Sequence, residues 1–200
     1  FDIGNVANEN AYEDILSKGQ DKWGGEFSED VLKTMVFFKD NDRDYWREFQ
    51  NGFLQVDEYL NTALQAGGFS PNEENRDHFK SCLEAWCGQP YQNIIDLVVN
   101  LKKNGYHTSV LSNNNEIMYN TSSAKKISSL VDVSISSHEI GVSKPEEKAY
   151  QILLKRINAE NPEEVIFVEI KTGDAKLSTV ERKLRDAIKN KKVKWVEYRK

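Results

Sequence analysis

The chain has 200 residues, 38% hydrophobic, 30% charged and 10% aromatic, with a formal net charge of −5. That length suits one large domain, or a core with an inserted subdomain, and the aromatic content argues against wholesale disorder. No run of 18 apolar residues is present to span a membrane, and the first residues lack the charged-then-apolar pattern of a signal peptide.

The opening Phe1-Asp2-Ile3-Gly4-Asn5-Val6 reads as the last residues of a strand running into a loop, so the chain is expected to be a fragment or processed product. From about 10 to 87 the apolar spacing is helical throughout, as in Val31/Leu32/Met35/Val36 and Val56/Tyr59/Leu60/Leu64. Breaks fall at Gly24-Gly25, Asn51-Gly52, Gly67-Gly68 and Gly88-Gln89-Pro90. Ser28 is an expected N-cap, and Ser70-Pro71 another. No strand is expected in this block. Cys82 and Cys87, five apart, suggest a reducing, cytoplasmic setting rather than a disulfide scaffold.

After Pro90 the pattern changes. Ile94-Ile95-x-Leu97-Val98-x-x-Leu101 is an apolar helix stripe closed by Asn104-Gly105. Strands are expected at 108–111, 131–135 and 165–168, with a helix from Glu146 to Ile157 between the last two. Strand–helix–strand alternation predicts a parallel α/β sheet covered on both faces, with its chemistry at the carboxyl ends of the strands. Asp2, Ser112 and Glu169 fall at such ends, and Lys144 in a loop after another strand. His78, His107 and His138 have no metal-ligand spacing and read as surface or structural residues.

Those positions, in that order, resemble the haloacid dehalogenase (HAD) superfamily. Phe1-Asp2-Ile3-Gly4-Asn5-Val6 is similar to its first motif, and Val110-Leu111-Ser112-Asn113 to its second. Gly141-Val142-Ser143-Lys144-Pro145-Glu146 resembles the third, and Val165 to Glu169 the strand carrying the fourth. Phe49-Gln50-Asn51-Gly52 followed by Asp57-Glu58-Tyr59 resembles caps of small sugar-phosphate phosphatases. The resemblance implies a HAD-like α/β core at 1–9 and 88–200 with an inserted helical cap at 10–87. It also implies Mg2+-dependent hydrolysis of a small phosphorylated metabolite. Asp2 would be the nucleophile and, with the Gly4 carbonyl and Glu169, a metal ligand. Ser112 and the Asn113 amide would hold phosphoryl oxygens, and Lys144 would neutralise charge. Oxygen-only ligands without a His/Cys cluster suit Mg2+ and not Zn2+.

Two positions depart from the pattern. Gly4 stands where a second acid commonly serves as general acid/base, and Ile170 where the fourth motif has a second acid. Impaired activity is the expectation. The tail departs further. Residues 171–200 carry eleven Lys/Arg against four acids, or +7, whereas residues 1–170 sum to −12. Glu169-Ile170-Lys171, with Leu177-Ser178 and Glu181-Arg182, resembles the end of archaeal Holliday-junction-resolvase-related nucleases of the PD-(D/E)xK fold. The combination suggests a spliced or designed chimera with a crossover near 160–168 and a tail of foreign, nuclease-like origin from 165 onward. Two other classes therefore stand beside the phosphatase: a catalytically poor binding or scaffold protein, and a protein that binds or cleaves nucleic acid through its basic tail.

Overall fold

The computed structural model describes residues 11–159 and the backbone of 166–171 and 194–199. The first half is built from helices α1 (Tyr12–Trp23), α2 (Glu29–Val36), α3 (Tyr45–Gln50), α4 (Val56–Ala66) and α5 (Glu73–Ala85). Their apolar stripes converge on one cluster, with Ile15, Phe27, Leu32, Phe49, Tyr59 and Phe79 at its centre. Phe49 and Tyr59 stack with ring centroids 4.2 Å apart and planes 9° from parallel. The buried Tyr59 hydroxyl donates to the Val36 carbonyl at 3.1 Å, so the phenol enters the core without an unpaired polar atom.

Gly24 and Gly67 end α1 and α4 where the sequence breaks place them. Ser28 caps α2, its hydroxyl accepting from the Val31 amide at 3.3 Å. The second expected cap is displaced. Helix α5 starts at Glu73, and Asn72 rather than Ser70 accepts from the Asn75 amide, at 2.8 Å. The block also contains a strand pair, contrary to the purely helical expectation. Strands β1 (Lys39–Asp40) and β2 (Arg43–Asp44) form a short antiparallel hairpin whose turn places Asn41 at φ 51°. Asn tolerates that left-handed conformation, and two-residue strands are too short to show an alternating pattern.

The second half contains α6 (Gln92–Lys103), β3 (Ser109–Ser112), α7 (Glu116–Tyr119), α8 (Ser122–Leu130), β4 (Val133–Ser136), α9 (Ser137–Ile140) and α10 (Glu147–Arg156). Strands β3 and β4 are parallel, with Ser109 opposite Val133 and Ser112 opposite Ser136. Successive strand residues face opposite sides. Val110 accordingly packs with Ile94, Val98, Ala124 and Ile127, whereas Leu111 and Ile135 pack with Val142, Ala149 and Leu153. The sheet is thus covered on both faces. Its amino end is pinned by Asp132, whose carboxylate accepts from the Thr108 amide at 2.8 Å and pairs with Lys102 at 2.8 Å.

Strands β5 (Ile166–Lys171) and β6 (Lys194–Arg199) form another parallel pair, with Glu169 opposite Glu197. The strand expected to end at Val168 continues to Lys171, so residues 169 and 170 lie in a ladder rather than in the loop after it. The stretch 178–190, whose sequence also reads as a helix, lies outside the described residues.

Candidate active site

The carboxyl ends of β3 and β4 lie side by side, and the loops leaving them carry most of the described candidate residues. Ser112 ends β3 and is 2% exposed. Asn113 follows, half-buried, and its carboxamide grips the backbone of Lys144. The Asn113 Nδ2 donates to the Lys144 carbonyl at 2.8 Å, and the Lys144 amide donates to Asn113 Oδ1 at 2.7 Å. Two opposed bonds to one peptide segment leave little freedom to either partner. The loop 141–146, between α9 and α10, is thereby fastened beside Ser112, and the Lys144 side chain is half-buried there. Ser112, Asn113 and Lys144 therefore come together across 32 residues of sequence. A hydroxyl, a backbone amide and an ammonium are the kinds of group that can hold an anion.

Asp2 and Gly4 lie outside the described residues. Glu169 lies on β5, where the backbone alone is described. Among the described residues no group of three His, Cys, Asp or Glu could hold a metal ion. The thiols are unsuited to nucleophilic work. Burial pushes Cys82 up to about 12 and raises Cys87, whose Sγ donates to the Met118 carbonyl at 3.3 Å. Both are free and buried.

Side chains outside the expected set complete the loop cluster. Ser137, 1% exposed, opens α9 immediately after β4. Its hydroxyl accepts from the Asn114 amide at 3.0 Å and reaches the Gln50 carbonyl at 2.6 Å. The Gln50 Nε2 in turn donates to the Asn113 carbonyl at 3.2 Å. Ser136 is fully buried, its Oγ 2.7 Å from His138 Nδ1 and 3.0 Å from the Asn114 carbonyl. The rule that places chemistry at strand ends applies to Ser136-Ser137 as it does to Ser112, and it was the signal available for them.

The α3–α4 connection presses onto these loops. Gly52 has φ 72°, and a Cβ built there would lie 2.2 Å from the His138 carbonyl oxygen. Arg47 of α3 pairs with Glu146 at 3.1 Å. Phe53, 67% exposed, lies over Gly141, where a Cβ would approach its ring to 3.5 Å. The helical half thus forms one wall of the site.

Comparison with known proteins places this arrangement. A family model described as haloacid dehalogenase-like hydrolase matches residues 5–169. A second, described as endonuclease related to archaeal Holliday junction resolvase, matches residues 150–200. The two matches overlap over residues 150–169. The (S)-2-haloacid dehalogenase 4A of Burkholderia cepacia is 26% identical over 133 residues, which cover 66% of this chain and 56% of that protein. The chain thus spans little more than half the length of that curated relative. Among solved structures, a HAD family enzyme from Bacteroides thetaiotaomicron, in complex with magnesium and inorganic phosphate, superposes with a TM-score of 0.71. It shares 15% identity, over 98% of this chain and 90% of that one. The L-2-haloacid dehalogenase of Xanthobacter autotrophicus, with chloropropionic acid covalently bound, gives 0.57 at 14% identity, over 96% of this chain and 82% of that one. These likenesses establish an α/β HAD-like fold.

Proposed function

Because the chain belongs to the haloacid dehalogenase-like hydrolase family, we propose that it hydrolyses a small phosphomonoester through an aspartyl-phosphate formed on Asp2. The observation that carries this reading is the double clasp between the Asn113 carboxamide and the Lys144 backbone beside the buried Ser112. It holds the backbone of Asn113 and Lys144 together before substrate arrives, and in this reading that lets Ser112, the Asn113 amide and the Lys144 ammonium lower the barrier to bringing a phosphate dianion against a carboxylate.

In this mechanism an Asp2 oxygen attacks phosphorus, forming an acyl-phosphate bond as the bond to the leaving oxygen breaks. Ser112, the Asn113 amide and Lys144 hold the phosphoryl oxygens. Water then hydrolyses the acyl-phosphate, releasing inorganic phosphate and restoring the carboxylate. Gly4 offers no side chain to protonate the leaving group, so good leaving groups such as aryl oxides should react best. Asp2, Glu169 and the Gly4 carbonyl would hold the ion, and oxygen ligands of this kind suit Mg2+. When bound, the ion would neutralise charge on phosphate. The segment 10–87 acts as a cap over the core formed by 1–9 and 88–200, excluding bulk water from the site.

A second reading has a specific observation behind it, the identity to the Burkholderia cepacia haloacid dehalogenase. The same carboxylate could attack carbon and expel halide, with Ser112, the Asn113 amide and Lys144 holding the carboxylate of a 2-haloacid. One experiment separates the two. Phosphate release from p-nitrophenyl phosphate, with and without Mg2+, is compared with chloride release from 2-chloropropionate, in the parent and Asp2→Asn. Phosphate release that needs Mg2+ and Asp2 supports the phosphatase; chloride release alone replaces it with the dehalogenase.

A further inference from the structure

The peptide between Asn113 and Asn114 is held from both sides by groups that the chemistry above does not use. Its carbonyl accepts from Gln50 Nε2 at 3.2 Å, and its N–H donates to Ser137 Oγ at 3.0 Å. The Ser137 hydroxyl has one proton to give, and the Gln50 carbonyl at 2.6 Å is its nearer acceptor, the Asn114 carbonyl at 3.2 Å the farther. Gln50 and Ser137 therefore close a ring around that peptide, using the side chain and the backbone of one residue and a single hydroxyl of the other. Ser137 is 1% exposed, so water does not substitute for these bonds.

Fixing that peptide fixes Asn113. Its ψ is set by the plane that Gln50 and Ser137 hold, and its side chain is set by Lys144. The remaining torsion, φ, sets the direction of the Asn113 N–H, the donor assigned to a phosphoryl oxygen, and Ser112, paired with Ser136 in the β3–β4 ladder, restrains its other side. Gln50 comes from the helical half, at the carboxyl end of α3, and Ser137 from the strand-end loops. The ring closes only when the two halves are docked.

We propose that Ser137 and Gln50 are positioning residues that aim the Asn113 amide and hold Lys144 in register, so that the anion cradle is complete only with the α3–α4 connection seated on it. The proposal rests on the phosphatase reading above, since it concerns the cradle that reading uses. Neither residue touches the reacting atoms; both act through Asn113.

The test uses inorganic phosphate as probe, measured as a competitive inhibitor of p-nitrophenyl phosphate hydrolysis and by titration calorimetry in Mg2+. Ser137→Ala removes the hydroxyl, Ser137→Thr keeps it, and Gln50→Met keeps the length of the arm without its donor. Circular dichroism and thermal melts establish that each variant is folded. Ser137→Ala and Gln50→Met should weaken phosphate binding and lower kcat/KM by roughly tenfold to a hundredfold, the scale of a small misplacement of binding groups. Ser137→Thr should recover most of the loss, which a packing defect would not allow. Should Ser137→Ala fail to fold, the half-buried Gln50 decides through Gln50→Met. Folded variants that bind phosphate and turn over like an active parent would overturn the positioning role and leave the phosphatase reading standing. A parent that neither binds phosphate nor hydrolyses the ester would overturn that reading, and the positioning role with it.

Discussion

In the proposed mechanism Lys144 would be prepared for its chemical task by its backbone rather than by its side chain. A loop lysine in water has many rotamers and contributes little to stability. Here its amide and carbonyl are both bonded to Asn113, which restricts where the ammonium can go. Lys144→Ala should therefore reduce kcat for an aryl phosphate by about a hundredfold to a thousandfold, the range for loss of one stabilising group at a developing charge. Its melting temperature should stay close to that of the parent. Asn113→Ala should be costly in both respects, because it frees Lys144 and leaves the backbone groups of a half-buried loop unpaired. Steady-state kinetics and thermal melts on the pair would distinguish these patterns, and equal melting temperatures for the two would show that the clasp is not structural. The Ser-Asn and Lys-Pro motifs were legible in the sequence because each stands at a recognisable boundary. Ser137 stood after a strand and Gln50 within the Phe49-Gln50-Asn51-Gly52 run, but that both reach one peptide was not legible, since only the fold brings them together there.

At the scale of elements, two contacts govern how strands and helices are held. The first is the anchor at the amino end of the β3–β4 pair. The Lys102 ammonium and the Thr108 backbone amide hold the Asp132 carboxyl far below the usual carboxylate range. A carboxyl depressed in the folded state contributes stability that is present above its unfolded value of about 3.9, and this is lost as pH falls below it. Asp132→Asn should accordingly lower stability by about 1 kcal/mol at neutral pH, with the loss shrinking towards pH 3 as the carboxyl of the unfolded chain takes up its proton while the folded one stays charged. Urea titrations at the two pH values would measure it, and a pH-independent difference would exclude the ionic origin. The second contact is Gly52 against His138. Alanine there would need a left-handed φ and would place its Cβ against backbone. Gly52→Ala should lift the α3–α4 connection from the loops, lowering kcat/KM more than it lowers the melting temperature. Activity equal to the parent's would mean that this close approach does not serve the site.

Local pattern explains which elements were legible. Helices α4 and α6 show as regular apolar stripes, and β3 as a short apolar run, because each buries one face or both. The β1–β2 hairpin gives no such signal, since its residues are mostly exposed and charged and are joined by backbone pairing, with Lys39 and Asp44 also 2.8 Å apart as an ion pair. The extent of β5 was misread because Glu169 and Lys171 look like loop residues, whereas the pairing with β6 carries both into the strand. The start of α5 moved because Asn72 offers a cap two residues after Ser70, and an Asn carbonyl oxygen serves as well as a serine hydroxyl.

For the molecule as a whole, the division of charge is the feature the phosphatase reading leaves unused. Residues 1–170 sum to −12 and residues 171–200 to +7, and the second family match, described as endonuclease related to archaeal Holliday junction resolvase, begins at residue 150. If the tail is only a solvated basic face, binding to branched DNA should be weak at physiological salt, should fall steeply as salt rises, and should be unaffected by Glu169→Ala. Metal-dependent cleavage of branched DNA that disappears in Glu169→Ala would instead make this segment a nuclease site.

The central claim is that catalysis runs through a covalent phosphate on Asp2, and rapid-quench mass spectrometry of the intact chain tests it most directly. The parent, mixed with p-nitrophenyl phosphate and Mg2+ and quenched in acid, should show a species heavier by one phosphoryl group, mapping to the peptide that contains Asp2. The species should form before steady state and be absent from Asp2→Asn. Hydrolysis that proceeds in Asp2→Asn at the parent's rate, with no phosphorylated chain in either protein, would contradict the claim.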